Sequence, residues 1–470
     1  MLLMLSLKCH SYVSIIIDLT RNIKMYGRKL GMGVSKRILF KGLCIMLCIG
    51  SATGSFAENR IDTQRSDAPA LAAYGEYAIG VRKLEVVNPK QIDILALDAT
   101  KAKPDPLPTY DRPLTLEVWY PAQQGSTGNT VLNAFIRDGK QQVELHGKAV
   151  RDAAPLETKK AFPLVLVSHG YPGNRFLLAH LAENIASKGY VVVSIDHTDS
   201  TYRTQAAFAS TLVNRSVDQL FVLSQIETMA KDEGSFLYQL ADASNTGIIG
   251  YSMGGYGAVI NAGAGITEQA VNSQLGAPFG TLVRHQTGIR DKVDPRVKTI
   301  IGFAPWGMNY RMFNLDSVAI PMMLVAGSQD DVSGYKNGVR AIWEGAKNVD
   351  RTLLTFDNAN HNAGAVMPAP EESFVFDEAL GFNVSEHYID AVWDNARMNN
   401  IAQHFVTAWL GKYLKNDSGM QAYLDLVPAS NDGVWAVDED GTPKAEHTYW
   451  EGFPHRTAKG LRLEQLPAAQ

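Results

Sequence analysis

The sequence predicts an α/β fold, with a mostly parallel central sheet and helices on both faces. Three observations carry that expectation. From Pro163 onward, short apolar runs alternate with helical stretches, the pattern of parallel strands joined by crossover helices. The runs Phe162-Pro163-Leu164-Val165-Leu166-Val167 and Val191-Val192-Val193-Ser194-Ile195 are almost wholly apolar, as strands buried on both faces require. Finally, Thr246-Gly247-Ile248-Ile249 leads directly into Gly250-Tyr251-Ser252-Met253-Gly254, and Gly255-Tyr256-Gly257-Ala258-Val259-Ile260 follows as a helix start.

Taken in order, residues 77–87 and 114–120 alternate as exposed-face strands and are expected to pair antiparallel at the leading edge. Pro104-Asp105-Pro106-Leu107-Pro108 is the loop between them. The strand at 162–167 comes next, then a helix over 176–188 ending at Gly189. The strand at 191–195 follows, and residues 217–229 carry apolar side chains at helical spacing. Further strands are expected at 297–303, 321–326 and 353–356, with a final helix over 399–413. Residues 265–292 and 365–390 exceed what the minimal fold needs and are expected to cap a cleft. The stretch 421–470 retains Trp435, Trp450, Phe453 and Leu461, so it is expected to pack back onto the main domain. The chain divides into an upstream segment with a signal peptide (1–57), an N-terminal extension with the leading strands (58–110), a catalytic domain (111–415) and a C-terminal extension (416–470).

Gly250-Tyr251-Ser252-Met253-Gly254 reads G-x-S-x-G. Between a buried strand and a helix, this is the setting of a nucleophile elbow, whose strained turn holds the serine hydroxyl exposed at the sheet edge. A hydroxyl is a weak nucleophile. It needs a base, and the base needs an orienting acid. Asp330 follows the run Pro321-Met322-Met323-Leu324-Val325-Ala326, and His361 follows Leu353-Leu354-Thr355-Phe356. The order Ser, Asp, His with each residue just after a strand points to Ser252, Asp330 and His361 as the catalytic set. Asp330 is preferred over Asp331 because it lies where the strand ends; Asp331 is expected to face away as a turn residue. Two backbone donors should meet a tetrahedral oxyanion, and these are expected at Met253 and at Tyr171, in the loop Ser168-His169-Gly170-Tyr171-Pro172-Gly173. His169 precedes the serine and is expected to be structural. Tyr171 and Trp306 both follow strands and are expected to form an apolar substrate slot beside Ser252.

Ser168-His169-Gly170 with Arg175, Ile195-Asp196-His197 and Gly250-Tyr251-Ser252-Met253-Gly254-Gly255 resemble the platelet-activating-factor acetylhydrolase and dienelactone-hydrolase-like group of the α/β-hydrolase superfamily. Phe303-Ala304-Pro305-Trp306, Asp330 and His361 resemble bacterial cutinase-like polyester hydrolases. The resemblance spans roughly residues 75–415 and implies an α/β-hydrolase fold and ester hydrolysis. Platelet-activating-factor acetylhydrolases carry their acid one strand earlier, where this chain reads Gly302-Phe303-Ala304-Pro305-Trp306 without a carboxylate. Asp330 therefore follows the cutinase and dienelactone-hydrolase pattern. Dienelactone hydrolases proper use a cysteine nucleophile, which the elbow lacks.

A chain of 470 residues with 46% hydrophobic content is long enough for one large core or two smaller ones. All three cysteines, Cys9, Cys44 and Cys48, fall in the first fifty residues. Lys36-Arg37, an apolar run over 43–49 and Ser51-Ala52-Thr53-Gly54-Ser55-Phe56-Ala57 form a basic, an apolar and a small-residue region, so a signal peptide cleaved after Ala57 is expected. Lys41 interrupts the apolar run, which disfavours a membrane span. The prefix carries eight Lys/Arg and one Asp, so its loss shifts the net charge by −7, from −4 to −11. An acidic exported protein is a poor partner for nucleic acid or anionic membranes. No H-E-x-x-H spacing suggests zinc, and no cofactor is expected. The expectation is an exported serine hydrolase of carboxylic esters acting on a small-molecule or lipid-like substrate. A serine peptidase or thioesterase, and a silent hydrolase fold used for binding, are the alternatives.

Overall fold

The computed structural model describes residues 58–205, 208–273, 277–289 and 292–469. The expected signal peptide lies outside the described residues. The main sheet has ten strands: β1 (Ala78–Ile92), β2 (Thr109–Ala122), β3 (Val150–Arg151), β4 (Phe162–Ser168), β5 (Val191–Asp196), β6 (Ala241–Tyr251), β7 (Val297–Phe303), β8 (Met322–Gly327), β9 (Arg351–Phe356) and β10 (Leu461–Leu466). Their spatial order is β10-β9-β8-β7-β6-β4-β5-β2-β1-β3. The strands from β9 across to β5 run parallel. The leading pair β1 and β2 is antiparallel, and β2 joins β5 antiparallel. β10 closes the far edge antiparallel to β9, with Arg351 opposite Leu466.

Side chains on the parallel strands alternate between two cores because the strand period is two. Val165, Val192, Ile249, Ile301, Val325 and Leu354 enter one core. It is covered by α1 (Ala179–Ala186) and α5 (Asn395–Lys415), which contribute Leu181, Ile185 and Trp409. Leu164, Val193, Ile248, Ile300, Leu324 and Leu353 enter the other. There α2 (Phe208–Lys231), α3 (Met253–Asn261) and α4 (Arg340–Gly345) supply Leu212, Val259 and Ile342. This is the expected mostly parallel sheet with helices on both faces.

Two features position the site. β6 lies centrally, between β4 and β7, so its C-terminal end opens at the middle of the sheet edge. Between β2 and β4, a hairpin of Val131–Phe135 and Gln142–His146 pairs with Asn59–Arg60 in a separate small sheet.

Candidate active site

Ser252 sits between the end of β6 and the first residue of α3, with φ 52° and ψ −113°. Such a conformation is strained for a residue with a Cβ. Three backbone hydrogen bonds hold it: Ser252 N–H donates to the Phe303 carbonyl at 2.9 Å, and the Ser252 carbonyl accepts from Tyr256 at 2.9 Å and Trp306 at 3.1 Å. The glycines are sterically required. A Cβ at Gly250 would lie 2.2 Å from the Gly254 carbonyl oxygen, and one at Gly254 would lie 1.9 Å from that of Ser168. The Met253 N–H belongs to the first turn of α3, where helix geometry provides no intrahelical acceptor.

Asp330 lies just beyond β8, and His361 just beyond β9. The two loops are tied together, because Gln329 N–H donates to the Ala359 carbonyl at 2.9 Å. Asp330 is buried, 4% exposed. Its carboxylate accepts from the backbone N–H of Val332 at 3.0 Å and Ser333 at 2.9 Å. Both its oxygens also face His361 Nδ1, at 3.1 and 3.0 Å. With Nδ1–H donating to the acid, His361 Nε2 is left with a free lone pair. The Tyr251 ring lies 5.2 Å from the imidazole, and its hydroxyl donates to Asn362 Oδ1 at 2.9 Å. Asn362 Nδ2 donates in turn to the Glu386 and Ile389 carbonyls. The histidine loop is thereby fastened to the 365–390 segment.

Ser252, His361 and Tyr171 line one cleft of about 370 Å³, together with Arg137, Phe382 and His387. The segment 365–390 therefore borders it, whereas no described residue of 265–292 is among its lining residues. Two expectations need correction. Asp331 is exposed and lines the cleft instead of turning away from it. Trp306 is adjacent to Ser252 through its backbone, but the residue is 7% exposed and is not among those lining the cleft. It sits in an aromatic row, with Phe208 at 5.2 Å and Tyr310 stacked at 4.9 Å, and Phe208 in turn contacts Tyr171 at 5.3 Å. Packing Trp306 against these rings buries more apolar area than exposing it beside the serine would. Arg137, His387, Asp331 and Glu386 also make the cleft more polar than the expected slot.

Beneath the loop after β4 lies a buried polar network that the sequence did not reveal. Ser168 Oγ is 2.8 Å from His197 Nε2, and His197 Nδ1 is 2.9 Å from Asp218. Arg112, 1% exposed, bridges Asp218 at 2.7 Å and Asp199 at 3.1 Å. His197 N–H donates to His169 Nε2 at 3.2 Å, and His169 Nδ1 contacts the Gly170 carbonyl at 2.7 Å. Burial, followed by the Arg215 charge, holds His169 and His197 well below the ordinary imidazole range. Both stay neutral and act as spacers that fix the loop carrying Tyr171. Their ring spacing of 5.1 Å and lack of exposure fit the structural role expected of His169.

With this geometry in place, comparison with known proteins gives a consistent picture. Residues 148–281 match a family described as PET hydrolase-like. The ten-stranded, mostly parallel sheet, the strained serine turn and that match decide the fold. The chain has an α/β-hydrolase fold. Among similar proteins, Cutinase 2 of Thermobifida cellulosilytica is 24% identical over 59% of this chain and 77% of the relative. Cutinase cut1 of Thermobifida fusca is also 24% identical over 59% of this chain, which spans 63% of that relative, under two thirds of its length. A platelet-activating factor acetylhydrolase of Cavia porcellus is 30% identical over 119 residues, 23% of this chain and 27% of that one. A solved ferulic acid esterase from Streptomyces cinnamoneus superposes with TM-score 0.48 and 18% identity, covering 77% of this chain and 94% of its own. No helix among the described residues is long and apolar enough to cross a membrane.

Proposed function

We propose that this chain is a carboxylic ester hydrolase that works through Ser252, His361 and Asp330. His361 Nε2 takes the Ser252 proton as Oγ attacks the ester carbonyl. Asp330 keeps the imidazole in the required tautomer and stabilises the imidazolium. The Met253 and Tyr171 amides hydrogen-bond the oxyanion that forms. As the tetrahedral intermediate collapses, His361 gives its proton to the departing alkoxide. Water then attacks the acyl-enzyme with His361 as base, and the acid leaves with Ser252 regenerated.

The observation that carries this reading is the buried Asp330 carboxylate gripping His361 Nδ1 in a cleft that Ser252 also lines. The cutinase relatives support ester hydrolysis by a serine hydrolase. The same apparatus could cleave an amide or a thioester, and a silent fold would cleave neither. Turnover of a short chromogenic ester, compared with a matched anilide and thioester, separates these cases. Fastest turnover of the oxygen ester is expected, and no turnover of any of the three would reject catalysis. We also propose export after cleavage at Ala57, on the charge and apolar pattern of residues 36–57.

A further inference from the structure

Arg137 lines the cleft, and among the described residues no carboxylate is paired with it. Arg137 sits in the turn of the Val131–Phe135 and Gln142–His146 hairpin, and its guanidinium lies 5.6 Å from the Phe382 ring. That turn is seated firmly: a Cβ at Gly139, where φ is +66°, would lie 2.2 Å from the Tyr202 carbonyl oxygen. Arg137 Nη1 is buried, and no described residue accepts a hydrogen bond from it.

Nearby arginines are treated differently. Arg112 is paired with Asp199 and Asp218, and Arg175 with Glu117 and Asp196. The acids near Arg137 make other contacts, and Asp331 lies exposed at the cleft rim. Glu386 accepts from Asn383 N–H and Nδ2, both at 3.1 Å, and Asp377 is paired with Lys140 at 2.8 Å. In the same cleft, His387 Nε2 is likewise buried without a partner among the described residues. Burial pushes His387 down to about 3, so it is neutral in ordinary buffers and does not duplicate the Arg137 charge.

A guanidinium nitrogen buried without an acceptor is costly to maintain, and the planar guanidinium fork matches a carboxylate with two parallel hydrogen bonds. We propose that Arg137 and His387 form a subsite for a free carboxylate, so that this hydrolase selects esters that carry one. This rests on the reading of Ser252 as nucleophile, since the same cleft holds both. The carboxylate could belong to the acyl part, as in a half-ester of a dicarboxylic acid, or to the alcohol part, as in an ester of a hydroxy acid. Either is recognised by the same chemistry.

Paired substrates test it. The acyl arm compares the para-nitrophenyl half-ester of glutaric acid with para-nitrophenyl valerate. The alcohol arm compares the butyrate ester of para-hydroxybenzoate with phenyl butyrate. In at least one arm the wild type is expected to favour the carboxylate. In that arm Arg137→Gln should raise KM for the charged ester by about 10- to 100-fold, the size of a hydrogen bond to a charged group, with the neutral ester little changed. Arg137→Lys should retain part of the preference. No preference in either arm for the wild type, or equal losses on charged and neutral esters in Arg137→Gln, would overturn the proposal. A binding measurement keeps it separate from catalysis. Monomethyl glutarate should bind Ser252→Ala protein in calorimetry and bind it more weakly when Arg137→Gln is added. Equal binding by the two would overturn the subsite even if the ester hydrolase reading held. Failure of every ester to turn over, with that binding difference intact, would overturn only the hydrolase reading.

Discussion

Asp330 and His361 meet through both oxygens of the carboxylate, with Nδ1 3.0 and 3.1 Å away. The acid's side chain is fully covered, while the imidazole keeps 13% of its side-chain surface. A covered acid behind a partly open histidine fixes the tautomer and leaves Nε2 toward the cleft. Two backbone N–H donors, from Val332 and Ser333, complete the hydrogen bonding of Asp330 and hold it in place.

The neighbouring carboxylates should therefore differ sharply. Asp330→Asn is expected to lower kcat by roughly three to four orders of magnitude, as tautomer loss does in Ser-His-Asp enzymes. Asp331→Asn, at the open rim, should leave kcat within a few fold. Steady-state kinetics of the two variants on one chromogenic ester make the comparison, and the reverse ranking would remove Asp330 from the mechanism.

Trp306 should behave as a packing residue. Trp306→Ala is expected to cost about 3–5 kcal/mol of stability, the range for truncating a buried aromatic. Denaturant unfolding measures this directly. A variant of unchanged stability with a raised KM for hydrophobic esters would show that the ring contacts substrate instead.

Acid should unfold the protein partly through its buried histidines. His180 and His404 are pushed by burial from 6.5 down to about 3. They stay neutral when folded, whereas the unfolded chain takes up their protons below about 6.5. Protonation then favours the unfolded state, so stability is full above pH 6.5 and declines as pH falls toward about 3. Each such group contributes up to about 1.4 kcal/mol per pH unit across that window. His180, with neither ring nitrogen hydrogen-bonded, isolates the effect. Melting temperatures of His180→Leu should fall less steeply with acid than those of the wild type; parallel slopes would contradict the account.

The exported protein should begin at Glu58, contain no cysteine and be indifferent to reductant. N-terminal sequencing of protein recovered from the expressing cell tests this, and a retained first fifty residues would reject cleavage after Ala57.

The parallel strands were legible because their two-sided burial leaves an almost unbroken apolar signature, as at Leu164 to Val167. The serine turn was legible because its glycines have no substitute. Other features depend on partners distant in sequence. β6 extends back to Ala241 through Asp242, Ser244 and Asn245, since Phe162 and Pro163 pair with Ala241 and Asp242. No local pattern marks that extension as strand. β10 reads Leu-Arg-Leu-Glu-Gln-Leu, a strand alternation, yet its place beside β9 follows only from the tertiary arrangement. The helix expected at 176–188 narrows to Ala179–Ala186, because the residues before it form turns. Arg112 and Asp218 lie 106 positions apart, and Arg137 reaches the cleft only through its hairpin. Chemistry of that kind is set by topology and leaves no motif.

The central claim is that Ser252 is the nucleophile. Intact-mass and peptide-mapping analysis after treatment with a serine-directed phosphonate tests it most directly. One adduct is expected, on the peptide containing Ser252, with loss of ester hydrolysis in proportion to labelling. Ser252→Ala protein should fold normally, take up no label and turn over ester several orders of magnitude more slowly. An adduct on another residue, or substantial activity in the folded Ser252→Ala protein, would contradict the account.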